Sequence, residues 1–248
     1  MRIIDISKYN GAINWTKAAK EIDGAIIRAG YRGYGSGTLV TDTRYLKNIK
    51  EAAGKTKIGV YFVTQAINEA EARKEAKYTL NLIKGYHLEL PVFIDTEDGN
   101  GGRGRADHNK LTKAKRTSVI KAFCEEIEKA GYEAGIYASE YWFKTYLDYN
   151  KLKSYFVWIA KYSKNAPSLK CDAWQYTDTG KVNGISGRVD ISEFNLEATR
   201  PIEEIAEEVL NGLWGNGEER KKRLEEAGFD YKAVQKLVNR IIKERSTK

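Results

Sequence analysis

The amino-acid sequence predicts an α/β fold: a barrel of about eight parallel strands with an incomplete outer ring of helices, followed by a small all-α module. Three observations lead to this prediction. The chain has 248 residues, the size of one barrel domain with an appendage. Short apolar runs alternate with amphipathic stretches, as strands covered on both faces do. The sequence beyond residue 201 is instead helical and balanced in charge.

The predicted strands are short apolar runs bounded by polar residues or glycine. They span residues 2–6, 24–28, 57–63, 90–95, 134–138, 155–160, 172–176 and 188–191. Between them the 3.6-residue periodicity predicts helices at 43–53, 69–83 and 111–130, the last ending before Gly131 because glycine suits the position after a helix. Beyond residue 134 the intervals shorten and predict no clear helices, so the outer ring is expected to be incomplete.

The tail predicts three helices at 202–211, 218–227 and 231–243, separated by glycine-rich turns. A unit of about 42 residues has a marginal core, so nearly all of its apolar side chains must be buried. The residues expected in this core are Ile205, Val209, Leu213, Trp214, Leu224, Val234, Leu237 and Val238. The predicted organisation is a barrel at 1–197, a linker at 198–201 and a three-helix module at 202–245.

Composition excludes several classes of protein. No window approaches the roughly 20 apolar residues of a membrane span, so no membrane insertion is expected. The start of the chain meets Arg2 and Asp5 too early for the apolar core of a signal peptide. Cys124 and Cys171 fit neither a disulfide framework nor a zinc spacing, and both are expected to be reduced thiols.

The net charge of +8 comes entirely from the first 201 residues, because the tail holds ten basic and ten acidic residues. An anionic partner is therefore expected. Nucleic acid is not the expected partner, because the basic side chains are scattered rather than clustered. No metal and no cofactor are expected: the two histidines, His87 and His108, lie away from strand ends, which disfavours a metal-dependent deacetylase.

Four acids follow or end predicted strands: Asp5, Asp95, Glu97 and Asp190. Barrels carry their chemistry at the carboxyl ends of strands, so these side chains should converge. In extended chain Asp95 and Glu97 point the same way while Thr96 points away. Neighbouring carboxyls separate each other's pKa values into one proton donor and one anion, as cleavage of a glycosidic bond requires. An Asp-x-Glu alone would favour a helix cap or a metal site over a catalytic pair, and four acids at four strand ends reverse this preference.

These acids belong to six motifs in a fixed order. The motifs are 5–11 with 13–15, 26–31, 59–61, 90–97, 174–176 and 189–192. Together they resemble glycoside hydrolase family 25, the muramidases of bacteria and their phages, over residues 1 to about 196. The resemblance implies a flattened (β/α) barrel that cleaves the β-1,4 bond between N-acetylmuramic acid and N-acetylglucosamine in peptidoglycan.

By position, Glu97 resembles the family's general acid, and Asp95 the carboxylate that stabilises the cationic transition state or orients the 2-acetamido group. Asp5 and Asp190 resemble the acids that position and tune this pair. The resemblance further implies substrate-binding roles for Tyr61, Tyr137, Trp174, Gln175 and Arg28.

The sequence departs from the family pattern at two places. Many relatives carry Tyr-His where this chain has Tyr61-Phe62, so any role of that histidine is absent. The glycine-rich loop at 98–105 lacks the Gly-Lys-Ser/Thr of a phosphate loop, and is expected to be a mobile rim whose arginines meet the anionic wall.

The tail is similar to the CW-seven wall-binding repeat of phage endolysins, through residues 205–217, 220, 223–224, 227–231 and 234–239. The resemblance implies binding to the muropeptide of peptidoglycan, for which Arg220, Arg223 and Tyr231 are the candidate residues, whereas Trp214 is expected in the core. Because one repeat with a marginal core gives little avidity, a homo-oligomer through the repeat is also predicted.

The sequence as a whole predicts a lysozyme-type endolysin that remains in the cytoplasm of the host cell until lysis and then acts on the cell wall. The alternative is a non-catalytic peptidoglycan-binding protein on a glycosidase-like barrel. Loss of Glu97 or Asp95 would have favoured this alternative, and both acids are present.

Overall fold

The computed structural model describes residues 1–99, 102–195, 202–226 and 229–246. The chain divides into two compact units, Met1–Phe194 and Asn195–Lys248. The predicted linker at 198–201 lies outside the described residues.

Nine strands form one sheet in the described part of the first unit. They are β1 (Arg2–Ile6), β2 (Gly24–Arg32), β3 (Leu39–Thr41), β4 (Lys57–Val63), β5 (Val92–Asp95), β6 (Ala134–Ser139), β7 (Phe156–Ala160), β8 (Ala173–Gly180) and β9 (Val189–Phe194). The sheet order is β1-β9-β8-β7-β6-β5-β4-β2-β3, and pairing of β1 with β2 closes eight of the strands into a barrel. The eight-stranded barrel is therefore confirmed, and β3 is an addition that the sequence analysis missed.

The expectation that all strands are parallel was wrong for β9, which runs antiparallel to both β8 and β1. The reason lies in the connection between Gly180 and Val189, which is shorter than the dozen or more residues that a parallel crossover needs. The direction of β9 changes the placement of Asp190. This residue lies near the start of its strand rather than at the end, and the start of an antiparallel strand meets the carboxyl ends of the others.

The helices around the barrel are α1 (Trp15–Ala18), α2 (Tyr45–Ala52), α3 (Glu69–Ile83), α4 (Lys113–Lys129), α5 (Glu140–Tyr146) and α6 (Tyr149–Leu152), with a 3-10 turn at Lys8–Asn10. The two long helices, α3 and α4, begin at side-chain caps: Asn68 accepts from the backbone N–H of Glu71, and Thr112 accepts from that of Lys115. The other helices are short, so the ring is incomplete as predicted.

Aromatic side chains fill the barrel interior below the acids. The rings of Phe93, Trp158 and Phe194 pack edge to face, with centroids 5.0 to 6.0 Å apart. Gly135 on β6 makes room for this cluster, because a Cβ there would lie 2.3 Å from the Phe93 ring. The interior is therefore a packed core, and only the mouth above it is open to chemistry.

The second unit contains α7 (Ile202–Leu210), α8 (Gly217–Glu226) and α9 (Tyr231–Ser246). Its buried cluster is Ile205, Ala206, Val209, Leu224, Val234, Leu237 and Val238. Leu213 was expected in this core but is 65% exposed. Gly212, which precedes Leu213 and has a φ of 78°, interrupts the helical periodicity, so the Leu213 side chain points outward.

Trp214 is half-buried against this core and donates its indole N–H to the Glu208 carboxylate at 2.8 Å. In the described part of the chain, no helix combines the length and the apolar character that crossing a membrane requires.

Candidate active site

Asp5 and Asp190 lie side by side at the mouth of the barrel. The register of β1 and β9 pairs these two residues directly, so both side chains lie on the same face of the sheet. Burial, followed by the charge of Asp190, raises the pKa of Asp5 well above its ordinary value. The hydrogen bond between the two carboxyls favours the protonated form of Asp5 and the ionised form of Asp190. Burial, followed by the charge of Asp178, nevertheless raises the pKa of Asp190 as well.

Asp95 ends β5, and Glu97 follows two residues later. Thr96, between them, is buried and accepts a hydrogen bond from the indole N–H of Trp142 on α5, at 3.2 Å. Thr96 thus faces the outer helices, as the predicted alternation requires. Asp95 is buried and Glu97 is exposed, so of the two only Glu97 is open to a substrate.

The acids raise one another's pKa values. For Asp95, burial raises the pKa well above the ordinary value, followed by the charges of Glu97 and Asp5, while Arg28 lowers it. Its Oδ1 is buried and accepts no hydrogen bond from the described residues, which also disfavours the ionised form. The walls of the mouth partly desolvate Glu97 and, with the nearby charge of Asp190, raise its pKa. Glu97 therefore remains protonated to higher pH than an ordinary glutamate.

Gln175 on β8 connects the acids to two tyrosines. Its Nε2 donates to Oδ2 of Asp5 at 2.8 Å, and its Oε1 accepts the hydroxyls of Tyr137 and Tyr162, each at 2.8 Å. This pattern fixes the orientation of the amide, because only one end of it can donate. Tyr162 was missed by the sequence analysis. It lies two residues beyond β7, the same offset that singled out Glu97, and its side chain is 53% exposed at the rim.

Arg28 on β2 forms the opposite wall of the mouth. Its guanidinium contacts the Asp42 carboxylate at 2.6 Å and lies 5.1 Å from the ring centroid of Tyr9. Tyr61 faces the same space: burial raises the pKa of its hydroxyl, while the charge of Arg28 lowers it. Asp42 was also missed, because it follows β3, which the sequence did not predict.

Trp174 is not brought together with the acids. It pairs with Ile159 in the β7–β8 register, one residue before the inward-facing Gln175, and its indole N–H donates to the carbonyl of Lys161 at 2.8 Å. Phe62, which stands where many relatives have histidine, is fully buried and packs against Tyr78. That side chain faces the helices rather than the mouth.

The loop after Glu97 is held by several hydrogen bonds within its described residues, and its expected mobility stays a prediction. Asp107, which is fully buried, accepts the backbone N–H groups of Gly99 and Gly104 at 2.6 and 2.5 Å. Arg105 pairs with Glu71 of α3 at 2.8 Å instead of facing a wall polymer. Residues 100 and 101 of the predicted rim lie outside the described residues.

In the second unit the candidate wall-binding residues differ in their surroundings. Arg220 donates to the Gly215 carbonyl, to Asn216 and to Gln235, at 2.8 to 3.2 Å. Arg223 is exposed and pairs with Glu219 at 2.6 Å, and Tyr231 is half-buried against the core. Arg220 thus ties the glycine-rich turn to α9, and Arg223 is the more exposed of the two arginines. Within the described residues of both units, no group of three or more His, Cys, Asp or Glu side chains is arranged to hold a metal ion.

Comparison with known proteins assigns the family. Residues 4–185 match the model of glycosyl hydrolases family 25, which is most of the chain. The chain belongs to glycosyl hydrolase family 25. Residues 203–242 of this family 25 chain match the CW_7 repeat.

Two curated lysozymes are similar to the family 25 chain. The lysozyme of Streptococcus phage Cp-7 is 30% identical over 200 residues, covering 74% of this chain and 55% of the phage protein. The autolytic lysozyme of Clostridium acetobutylicum is 28% identical over 199 residues, covering 79% of this chain and 56% of that protein. The chain thus spans little more than half the length of these two relatives.

Among solved structures, the modular autolysin LytC from Streptococcus pneumoniae matches with a TM-score of 0.67 and 32% identity. The match covers 77% of this chain and 46% of LytC. The family 25 barrel is thus supported both by sequence and by fold.

Proposed function

We propose that this protein is a peptidoglycan hydrolase, an N-acetylmuramidase that cleaves the β-1,4 bond between N-acetylmuramic acid and N-acetylglucosamine. The observation that carries the proposal is the state of Glu97: it is open to solvent, its pKa is raised, and it lies beside three further acids at the mouth of a family 25 barrel. A glutamic acid whose pKa is raised keeps its proton to higher pH and can serve as the general acid that glycosidic cleavage needs.

In this mechanism Glu97 donates its proton to the glycosidic oxygen as the bond breaks. Asp95 lies deeper in the mouth, where its raised pKa favours the neutral carboxyl, whose carbonyl oxygen can accept the N–H of the 2-acetamido group. Stabilising the positive charge that develops on the sugar, its other proposed role, requires the ionised form. Burial of Glu97, followed by the charge of Asp190, favours the protonated form of Glu97, and Asp5 lies beside Asp190. Gln175, held by Tyr137 and Tyr162, fixes Asp5 in this position.

The second unit supplies the proposed wall targeting. Residues 203–242 match the CW_7 repeat, and the sequence of this unit resembles a wall-binding repeat. We assign Arg220, Arg223 and Tyr231 as candidate contacts to the muropeptide. Arg28 in the wall of the mouth and Trp174 outside the group of acids are candidate substrate contacts of the barrel. The proposed setting is that of an endolysin, held in the host cytoplasm until lysis. Self-association through the repeat, and the lack of a nucleic-acid partner, belong to the same proposal.

The test is mass spectrometry of purified peptidoglycan after digestion. New reducing ends on N-acetylmuramic acid support the muramidase, and reducing N-acetylglucosamine ends would identify a glucosaminidase instead. Glu97→Gln keeps the shape of the side chain but cannot donate a proton, so release should fall by about a hundred- to ten-thousand-fold while wall binding persists.

Glu193→Gln is the matched control, because Glu193 is exposed on β9 and alternation places it on the face opposite to Asp190. It should retain wild-type release. If the wild-type protein bound the wall but released no fragments, the non-catalytic alternative would replace the muramidase.

A further inference from the structure

Arg116 lies beneath the loop that leaves Glu97. It belongs to α4 and is only 1% exposed. Its guanidinium donates to the carbonyls of Ala106, Asp107, His108 and Leu111, with the bond to Asp107 at 2.9 Å. One planar fork of donors thus gathers four carbonyls of the loop, a geometry that a lysine ammonium does not reproduce.

The residues whose carbonyls Arg116 binds also form hydrogen bonds with the chain just after Glu97. The carboxylate of Asp98 accepts the backbone N–H of His108 at 2.7 Å and contacts its Nδ1 at 2.9 Å. The next residue, Gly99, donates its N–H to Asp107 at 2.6 Å. Two consecutive residues after the acid are therefore anchored to two residues whose carbonyls Arg116 binds.

Arg116 also supports the chain just before Glu97. Its guanidinium lies 4.8 Å from the ring centroid of Trp142, and the Trp142 indole N–H donates to Oγ1 of Thr96 at 3.2 Å. Thr96 is buried, and its backbone N–H donates to the Tyr137 carbonyl at 3.1 Å. The segment that enters the acid and the segment that leaves it therefore meet at one buried side chain.

We propose that Arg116 is the positioning residue of Glu97: by joining the two flanks of the acid it holds the Glu97 carboxyl in the barrel mouth. The proposal rests on the proposed function of Glu97 as general acid. Arg116 pairs with no carboxylate within 4 Å among the described residues, and burial lowers its pKa. Its contribution is geometric, because misplacing a reacting group by about 1 Å costs about a hundredfold in rate.

The test is the kinetics of Arg116→Lys on a soluble peptidoglycan fragment. The expected result is a fall in kcat of about ten- to a hundredfold with KM changed less than about threefold, because orientation of the acid is lost while substrate binding is kept. Arg32→Lys is the matched control. Arg32 is 5% exposed and binds Glu75 and the carbonyls of Gly37 and Glu71, and among the described residues it donates no hydrogen bond to Thr96 or to the loop that Arg116 binds. It should lose comparable thermal stability but keep kcat within about threefold.

Two milder variants decide the matter if Arg116→Lys does not fold. Thr96→Val removes only the acceptor for Trp142, and Asp107→Asn replaces one of the two acceptors for Gly99 and Gly104. Each should lower kcat several-fold at constant KM. Normal kcat in both variants, or equal losses in Arg116→Lys and Arg32→Lys, would overturn the positioning role.

A second readout does not depend on cleavage. In protein labelled with 13C at glutamate carboxyls, with Glu97→Gln used to assign the signal, Glu97 should titrate closer to an ordinary glutamate in Arg116→Lys than in the wild type. An unchanged Glu97 titration would contradict the proposal even if the wild type proved inactive. A shifted titration with an inactive wild type would instead refute the muramidase and keep the positioning role.

Discussion

At the scale of single residues, the protonation of Glu97 depends on Asp190. The charge of Asp190 raises the pKa of Glu97, so a general acid at this position stays protonated to higher pH. Activity requires the protonated form and is lost as pH rises through that pKa. Asp190→Asn removes the charge, and the basic limb of the kcat/KM profile should therefore move to lower pH.

The control for this pH shift is again Glu193→Gln, whose profile should coincide with that of the wild type because residue 193 is not among the groups that act on Glu97. A fall in rate alone would not support the argument. An Asp190→Asn profile with an unmoved basic limb would show that Glu97 is not the titrating acid.

Part of this site could be predicted because the determining pattern is local. Asp95 and Glu97 share a face through the two-residue alternation of one strand, which the sequence displays directly. Tyr162 and Asp42 were not predicted, because their roles depend on partners from other strands, Gln175 and Arg28. Only the folded barrel brings such partners together.

At the scale of elements, α3 is fastened to the strand ends through one buried carboxylate. Glu75 is fully buried, contacts Arg32 at 2.6 Å and accepts the Thr64 hydroxyl at 2.6 Å. Burial raises the pKa of Glu75 to about 7, so it carries its charge at pH 8. At that pH Glu75→Gln should lower the free energy of unfolding by about 3 kcal/mol, because it leaves the buried Arg32 with only the more distant Glu71 carboxylate, at 3.9 Å.

Urea unfolding at pH 8 measures this loss, and Glu125→Gln provides the comparison. Glu125 pairs with Arg73 of the same helix α3 at 3.2 Å, but both side chains are about 40% exposed. A surface pair of this kind contributes about 0 to 1 kcal/mol. Equal losses of unfolding free energy in the two variants would show that the buried Glu75–Arg32 pair stabilises the protein no more than the exposed pair does.

The boundaries of the long elements could be predicted more securely than their directions. The predicted helix at 69–83 coincides with α3 (Glu69–Ile83), because periodicity and an asparagine cap mark it locally. The antiparallel course of β9 depends on the length of a connection and on closure of the whole barrel. The hairpin strand β3 has only three residues, which are too few to show an alternating pattern in the sequence.

At the scale of the whole molecule, the second unit is the less robust part of the chain. Among the described residues of this unit its buried cluster contains seven members, and Leu224 is one of those that are fully buried. Leu224→Ala should cost about 2 to 5 kcal/mol, comparable with the entire stability that a core of this size supplies. Limited proteolysis of the full chain should then remove the tail while the barrel remains intact and wall binding falls.

Leu213→Ala is the matched control, since Leu213 is 65% exposed in the same unit and its truncation leaves no cavity. It should leave the protease resistance of the tail unchanged. Resistance of the Leu224→Ala tail equal to that of the wild type would mean that the unit draws its stability from elsewhere.

The distribution of charge predicts how salt affects the proposed hydrolysis of the cell wall. The first 201 residues carry the whole net charge of +8, whereas the tail is neutral. Attraction between this barrel and an anionic wall is screened over about 8 Å at physiological ionic strength. The rate of lysis of intact walls should therefore fall as salt is added, while hydrolysis of a neutral soluble fragment should change much less. Turbidity and reducing-end assays over one salt series measure the two rates, and equal salt dependence would assign no role to long-range attraction.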